Sequence, residues 1–306
     1  MIDFHHGFFI YIILGTPIYF VLQIKINKFV KEFNTITYKK PMKKALLLGA
    51  IAVTFTTATK AQSTEQLSIV NGGKVWALLY QQRAAEYKAL CFQAYNVARL
   101  RLDEALKQKS KKPLAIITDI DETVLDNSPY DAARAVKNKD FDLAGWKTWT
   151  AKAIADTVPG APSFFKYAAS KGVTIFYVTN RDEDEREGTT KNLQLYKLPN
   201  ADKDHVHLRQ GVSSKEARRQ EILKKYNVVL YCGDNLPDFD SAYDNVRASQ
   251  DGRNDATERL KKYFGYRYIV IPNQGYGDFE SAFFGSQKLN AVQKDSVLRT
   301  IIKVAD

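Results

Sequence analysis

Two aspartates directly follow a short apolar segment near the middle of the chain. Residues 114–117 are apolar and rich in β-branched side chains, which favours a buried strand over a helix, and Asp119 and Asp121 come after them. Residues two apart in an extended backbone point to the same side. Two carboxylates held together repel each other unless a cation lies between them or one is protonated. The pair therefore predicts a Mg²⁺ site, or a nucleophile beside a proton donor.

A lone Asp-x-Asp is more often a solvated turn than a site. Here the full string is DIDETVLDN at 119–127, directly after the apolar segment, and this context favours chemistry. A second pair of acids, Asp234 and Asp238, follows another apolar segment at 228–232, and Gly233 would let the backbone approach a ligand closely. A solvated turn is again the alternative. Because ligands bind at the carboxyl ends of parallel strands, we expect Asp234 to bind the same metal ion as the first pair.

Polar residues at two further positions suit a phosphate group. Residues 173–178 predict a strand that ends in Thr179 and Asn180, whose hydroxyl and amide groups could hold a phosphate oxygen or simply cap a helix. Lys215 lies at a predicted helix start, where the helix dipole disfavours a cation unless an anion is bound. A flexible surface lysine is the alternative. Combined with the acids, these residues predict phosphoryl transfer, which depends mainly on positioning and charge neutralisation.

The elements that carry these residues alternate between strand and helix. Strands are predicted at 114–117, 173–178, 228–232 and 268–271, with helical periodicity at 159–169, 182–198, 216–226 and 290–304. This alternation is typical of a parallel sheet with helices on both faces. A further helix is predicted over 65–109, with Gly72-Gly73 marking its start or a break. The pair His205 and His207 lies on a short strand and is interpreted as structural, because no third metal ligand is near.

Two aromatic residues are candidates for contact with a planar substrate group. Trp149 lies in the segment 131–158, which overhangs the end of the first strand and could act as a lid. The ring of Trp149 could stack on the substrate or pack inside that segment. The same two alternatives apply to Trp146, for which packing is favoured. Tyr276 lies on a glycine-flanked loop after the last strand and is a candidate rim residue.

Composition limits the broad class of the protein. The 306 residues are 45% hydrophobic and 26% charged, which suits one α/β domain with a sizeable core. Residues 1–61 hold eight lysines and two acids, so this segment carries more than half of the net charge of +11. The remainder is compatible with an anionic substrate and gives no argument for binding a nucleic acid polymer. Cys91 and Cys232 lie in apolar contexts and are expected to be buried thiols.

The N-terminal region has the features of export. Residues 42–61 combine a charged start, an apolar stretch and a small residue at the expected cleavage point, as in a signal peptide. The segment 7–23 is apolar but near the short limit for a membrane span, and Pro17 interrupts it. Residues 1–41 are therefore either a spurious extension before a true start at Met42, which we favour, or a membrane anchor.

Several motifs resemble those of one enzyme family. DIDETVLDNSPY at 119–130, FYVTNR at 176–181 and GDNLPDF at 233–239 are similar to the haloacid-dehalogenase-type phosphohydrolases. More specifically, they resemble the bacterial class C acid phosphatases, which include outer-membrane lipoprotein acid phosphatases and 5′-nucleotidases. EYKALCFQAYN at 86–96 and NQGYGDFE at 273–280 also resemble that family. The resemblance covers most of the chain from about residue 65. It implies a Rossmann-like three-layer α/β/α fold over 62–306, with a small helical cap at about 127–158.

The resemblance also implies a function and a set of site residues. The expected reaction is Mg²⁺-dependent hydrolysis of phosphomonoesters, nucleoside 5′-monophosphates prominent among them, and our leading hypothesis is that it passes through an aspartyl-phosphate. The resemblance implies that Asp119 is the nucleophile and that Asp121 is the acid and base. It implies that Mg²⁺ is bound by Asp119, by the backbone carbonyl of Asp121 and by Asp234, with support from Asp238. Phosphate binding is implied for Thr179, Asn180 and Lys215, and contact with the substrate ring for Trp149 and Tyr276.

One departure from the family bears on where the protein acts. Members described as lipoproteins carry a cysteine just after the signal segment, whereas no cysteine precedes Cys91 here. We therefore expect an exported periplasmic or cell-surface enzyme without a lipid anchor, unless residues 7–23 tether it to a membrane. A catalytically silent, secreted or membrane-tethered nucleotide-binding or storage protein of the same fold is the alternative, because fold does not determine function. The preferred phosphomonoester and a possible homo-oligomer stay open.

Overall fold

The computed structural model describes residues 68–285 and 287–305. The predicted signal peptide at 42–61 and the apolar segment at 7–23 lie outside these ranges. Within the described ranges, no helix combines the length and the apolar character needed to cross a membrane.

A parallel sheet forms the centre of the protein. The strands of the described ranges are β1 Leu114–Thr118, β2 Leu125–Asp126, β3 Asp156–Thr157, β4 Thr174–Asp182, β5 Val206–Arg209, β6 Asn227–Gly233 and β7 Tyr268–Val270. Five of them form this sheet, in the order β5-β4-β1-β6-β7. The strand β1, which precedes the first acidic pair, is the middle strand, so its side chains are buried on both faces. Ile116 packs on one face, with Ala115 and Ile117 on the other.

Helices cover both faces of the sheet and complete the three layers expected for this fold class. The helices of the described ranges are α1 Ile69–Arg83, α2 Ala85–Leu106, α3 Ser128–Ala135, α4 Leu143–Thr150, α5 Ala161–Ser170, α6 Arg186–Leu195, α7 Glu216–Lys225, α8 Gln250–Leu260, α9 Asp278–Phe284 and α10 Ala291–Ile301. Side chains of α2 and α5, such as Tyr95 and Phe165, pack with Ile116 on one face. Ile222 of α7 packs with Ile117 on the opposite face. The α/β three-layer prediction is confirmed.

The long N-terminal helix differs from the prediction in one respect. Gly72 and Gly73 lie inside α1, which begins after Ser68, whose side chain accepts a hydrogen bond from the backbone N–H of Asn71. The break comes at Ala84, whose extended backbone separates α1 from α2. The serine cap and the burial of Val70 and Leu78 together offset the weak helix propensity of the two glycines. Cys91, on the inner face of α2, is buried and unbridged, as expected.

The two ends of the segment predicted as a cap lie side by side. The strands β2 and β3 pair antiparallel, Leu125 opposite Thr157, and the helices α3 and α4 lie between them. Trp146 is buried among the rings of Tyr130 and Phe141, which it meets at centroid distances of 5.4 and 6.1 Å. Trp146 therefore has the packing role that the sequence left open as the alternative to stacking.

Candidate active site

The ends of three neighbouring strands bring the predicted site residues to one edge of the sheet. Asp119 follows β1, Thr179 lies in the last part of β4, and Asp234 follows β6. The backbone N–H of Asp119 donates to the carbonyl of Cys232 at 2.9 Å, which continues the ladder between β1 and β6 to the site itself. The strand β4 extends to Asp182 and thus beyond the predicted end at residue 178. Its extra residues carry Thr179, Asn180 and Arg181 along the sheet edge.

A cluster of three carboxylates lies at this edge. Asp119, Asp234 and Asp238 each offer an oxygen, and these oxygens lie within 4.8 Å of one another. Thr123 donates to one oxygen of Asp234 at 3.2 Å and Asn273 donates to the other at 2.8 Å. Hard carboxylate oxygens at this spacing fit a divalent cation such as Mg²⁺. The side chain of Asp121 does not belong to this cluster; its backbone carbonyl stays the predicted ligand.

Burial makes the carboxylates of Asp119 and Asp234 costly to ionise. It raises the pKa of Asp119 to about 7, although Lys215 acts in the opposite direction. The pKa of Asp234 is raised well above its usual range by burial first and then by the charges of Asp238 and Asp119. Buried carboxylates that repel one another provide a strong electrostatic reason to bind a cation. The cluster therefore fits the divalent metal that the sequence predicts.

Lys215 is buried against the acids rather than exposed on the surface. Its ammonium group lies 2.6 Å from Asp119 and 2.7 Å from Asp238, and only 5% of its side chain is exposed. Burial alone would lower the pKa of Lys215, but the two carboxylates more than offset this effect and its pKa is raised. The lysine therefore stays charged beside the predicted nucleophile, where it could also bind a phosphate oxygen.

The carboxylate of Asp121 is held by Arg181, which was not predicted from the sequence as a site residue. Arg181 binds it through two nitrogens, with Nη2 2.7 Å and Nε 3.0 Å from Oδ1. Asn127 donates to the same oxygen at 2.8 Å. The signal for Arg181 was present as the last residue of FYVTNR, but a strand-end pattern alone does not show that an arginine turns back into the protein.

The two predicted phosphate ligands of β4 are differently placed. Thr179 is fully buried, and its hydroxyl donates to Oδ2 of Asp121 at 3.4 Å. Asn180 is exposed, and its side-chain oxygen accepts a hydrogen bond at 2.9 Å from Arg218 of α7. Thr179 thus lies next to the acid of the predicted reaction, whereas Asn180 faces toward α7.

Both predicted substrate aromatics are tied to the loop that carries Asp121. The indole N–H of Trp149 donates to Asn127 at 2.8 Å. The hydroxyl of Tyr276 donates to Glu122, whose other oxygen accepts from the backbone N–H of Asn127 at 2.7 Å. Glu122 is buried, has a left-handed backbone with φ of 53°, and has a pKa raised well above its usual range by burial and then by Asp131. Glu122 and Asn127 were not predicted from the sequence as site residues.

A second acidic group in the described part of the chain has a different character. Asp182 at the end of β4 lies together with Asp184 and Glu185, but Lys147 contacts both aspartates and Arg209 binds Asp182 at 2.6 Å. These cations already neutralise much of the charge. The two histidines that were interpreted as structural, His205 and His207, pack their rings against Phe176.

Gly233 provides a test of how closely the acidic cluster is packed. A Cβ atom at this position would lie 2.5 Å from Cβ of Asp238, a contact that only backbone movement could relieve. Gly233→Ala should therefore displace Asp238 from Lys215 and lower kcat/KM by about 10²-fold, as expected for an error of about 1 Å in a site. The measurement is steady-state phosphate release. Gly72→Ala is the matched control, because nothing lies within 4 Å of its added Cβ. Equal activity of the two variants would contradict this packing.

Comparisons with known proteins agree with the geometry. Residues 34–279 match the family model described as HAD superfamily, subfamily IIIB (acid phosphatase). Two solved structures of the class C acid phosphatase from Bacillus anthracis, one of them with tungstate bound, are similar to this chain at 38% sequence identity. Each match covers 78% of this chain and 99% of that chain, with a TM-score of 0.73.

Proposed function

The chain belongs to the HAD superfamily, subfamily IIIB, of acid phosphatases, and from this membership we propose that it is a Mg²⁺-dependent hydrolase of nucleoside 5′-monophosphates that works through an aspartyl-phosphate. The family makes the chain a phosphomonoesterase, which decides against the silent binding protein of the same fold. The observation that carries the finer proposal is the buried Asp119, which lies beside Lys215 and within the three-carboxylate cluster.

The residues divide the reaction into two steps. In the first, an oxygen of Asp119 attacks phosphorus, the bond to the leaving oxygen breaks, and Asp121 gives that oxygen a proton. In the second, the Asp121 carboxylate takes a proton from a water molecule that attacks phosphorus, and the bond to Asp119 breaks. Asp119 is then regenerated and phosphate is released.

A charged and a hydroxyl side chain at the site would hold the phosphate during both steps. Lys215 contacts Asp119 and the hydroxyl of Thr179 contacts Asp121, so each of these two side chains could hold a phosphate oxygen that reaches its aspartate. A bound Mg²⁺ would neutralise charge on the phosphate oxygens. The related Bacillus anthracis enzyme binds tungstate, also an oxyanion, which supports an oxyanion site here.

The preference for nucleotides is supported by the aromatic residues. Trp149 and Tyr276 are half-buried, and their polar ends are held by Asn127 and Glu122 of the loop that carries Asp121. Anchored rings lose little conformational freedom when a base stacks on them. We therefore propose that these two rings flank the base, whereas the phosphate lies beside Asp119, Lys215 and Thr179.

A panel of phosphomonoesters, assayed with and without EDTA, tests the proposal. Nucleoside 5′-monophosphates should show a kcat/KM at least about fivefold above that of glycerol phosphate, because base–aromatic stacking contributes on the order of 1–3 kcal/mol. EDTA should abolish turnover of every substrate, and Mg²⁺ should restore it, since the carboxylate cluster would lose its counter-charge.

The metal requirement and the nucleotide preference can be rejected independently of each other. Full activity after EDTA treatment and dialysis would reject the metal. Equal kcat/KM for nucleotides and glycerol phosphate would reject the nucleotide preference and leave the phosphatase chemistry unaffected. Phosphate release quantified over a range of substrate concentrations provides both results.

We also propose that the enzyme is exported to the periplasm or the cell surface. The support is the signal-peptide pattern at 42–61 together with the missing lipoprotein cysteine. Cell fractionation combined with the phosphate-release assay tests this location. Activity confined to the cytoplasmic fraction would reject it.

A further inference from the structure

The two oxygens of the Asp121 carboxylate have different surroundings. Oδ1 accepts three N–H groups, from Nη2 of Arg181 at 2.7 Å, Nδ2 of Asn127 at 2.8 Å and Nε of Arg181 at 3.0 Å. A proton on Oδ1 would point at one of these donors and would displace it. Oδ1 is therefore the less favourable of the two oxygens for a proton.

Oδ2 has weaker contacts and a rotatable neighbour. Nε of Arg181 lies 3.3 Å away and the hydroxyl of Thr179 lies 3.4 Å away, both at the long limit of hydrogen bonding. A proton on Oδ2 therefore displaces no short hydrogen bond, and the hydroxyl of Thr179 can rotate so that its oxygen accepts a hydrogen bond from that proton. Under the proposed function Thr179 binds the phosphate, and the contact of Oδ2 with Thr179 then makes Oδ2 the oxygen on the phosphate side.

Arg181 itself is fixed from several directions. Only 1% of its side chain is exposed, and its Nη1 donates to the buried hydroxyl of Thr189 of α6 at 3.1 Å. Its guanidinium lies 5.6 Å from the ring centroid of Trp146 in α4, and its backbone N–H donates to Thr179 at 3.1 Å. A planar fork anchored by the sheet, by α6 and by the cap can hold a carboxylate in one orientation.

We propose that Arg181 is the positioning residue for proton transfer in this enzyme: by saturating Oδ1 of Asp121, it assigns the proton to Oδ2, on the phosphate side. This inference rests on the proposed function. As the bond from phosphorus to the leaving oxygen breaks, its electron pair stays on that oxygen, which takes the proton from Oδ2. The Asp121 carboxylate that remains is stabilised by the fork and later takes a proton from the attacking water.

Leaving-group dependence separates this role from a merely structural one. A leaving group that is stable as an anion, such as p-nitrophenolate, departs with little help from a proton, whereas an alkoxide or a nucleoside needs it. In Arg181→Gln, kcat/KM for nucleoside monophosphates and alkyl phosphates should fall by about 10²-fold, the usual size of a general-acid contribution. For p-nitrophenyl phosphate the loss should stay below about fivefold. A structural defect would lower all substrates alike.

Two further variants complete the experiment. Arg181→Lys keeps the charge but lacks the fork, so it should follow Arg181→Gln; recovery of alkyl phosphate turnover would show that charge alone suffices and would overturn the proposal. Thr189→Val removes one hydrogen bond from the guanidinium and should produce the same leaving-group-selective loss of kcat/KM, but a smaller one. This variant tests the proposal even if Arg181→Gln does not fold. Arg259→Gln, at an exposed position of α8, is the matched control and should equal the wild type.

The outcomes also separate this inference from the proposed function. A uniform loss over all leaving groups in Arg181→Gln and in Thr189→Val would reject the positioning role while the aspartyl-phosphate mechanism stands. Retained turnover after replacement of Asp119 would reject the mechanism itself. The Asp119 variant is therefore assayed on the same substrates.

Discussion

Replacing Asp119 by Asn is expected to lower kcat for phosphate release by at least about 10⁴-fold, on nucleotides and on p-nitrophenyl phosphate alike. The amide that replaces the carboxylate is a poor nucleophile, so no acyl phosphate can form. The substitution also removes one negative charge from the cluster that Asp119 forms with Asp234 and Asp238, which should weaken cation binding. Unlike the Arg181 variants, this variant should show no dependence of its loss on the leaving group.

The measurement is single-turnover phosphate release with acid quenching, in which the wild type should also yield a covalent phosphoenzyme. Asp255→Asn is the matched control, because Asp255 is an exposed acid on α8 outside the site. Thermal unfolding of both variants checks that they fold. Turnover by Asp119→Asn within tenfold of the wild type would contradict the nucleophile assignment.

Replacing Lys215 by Met is expected to lower kcat/KM by about 10²–10³-fold, the usual effect of removing one preorganised charged or hydrogen-bonding group from a site. The lysine lies within 2.7 Å of Asp119 and of Asp238, so its loss leaves buried carboxylates without a counter-charge. Methionine has a similar length and shape without the charge. The effect should fall on kcat and on KM, because the lysine borders both nucleophile and phosphate.

The pH dependence of this variant has a definite sign. Burial raises the pKa of Asp119 to about 7, and Lys215 counteracts that rise. Without the lysine, the pKa of Asp119 should rise further. Since the nucleophile must be ionised, the acidic limb of kcat/KM should shift to higher pH in Lys215→Met, measured in the same buffers at constant ionic strength.

Lys225→Met is the matched control, because Lys225 lies on the same helix α7 and is exposed. It should leave both kcat/KM and the acidic limb unchanged. Should Lys215→Met keep the acidic limb of the wild type, the charge coupling between the lysine and Asp119 would be wrong, even if activity were lost.

The sequence by itself determined the fold class and the core of the site. Apolar segments of strand length at 114–117, 173–178 and 228–232 end in Asp119, Thr179 and Asp234, and these patterns are local. In a parallel sheet the carboxyl ends of neighbouring strands share one edge, so their meeting follows from topology alone. Local periodicity also sufficed for the buried thiols Cys91 and Cys232.

Only the tertiary structure decided how the side chains pair. The fork of Arg181 on Asp121 joins positions 60 residues apart, and the hydrogen bond of Tyr276 to Glu122 joins positions 154 residues apart. The strand pattern could not show whether Lys215 is exposed or buried between Asp119 and Asp238. Such contacts depend on strand register, on helix docking and on the burial that forces charges to find partners, and none of these is encoded within a single segment.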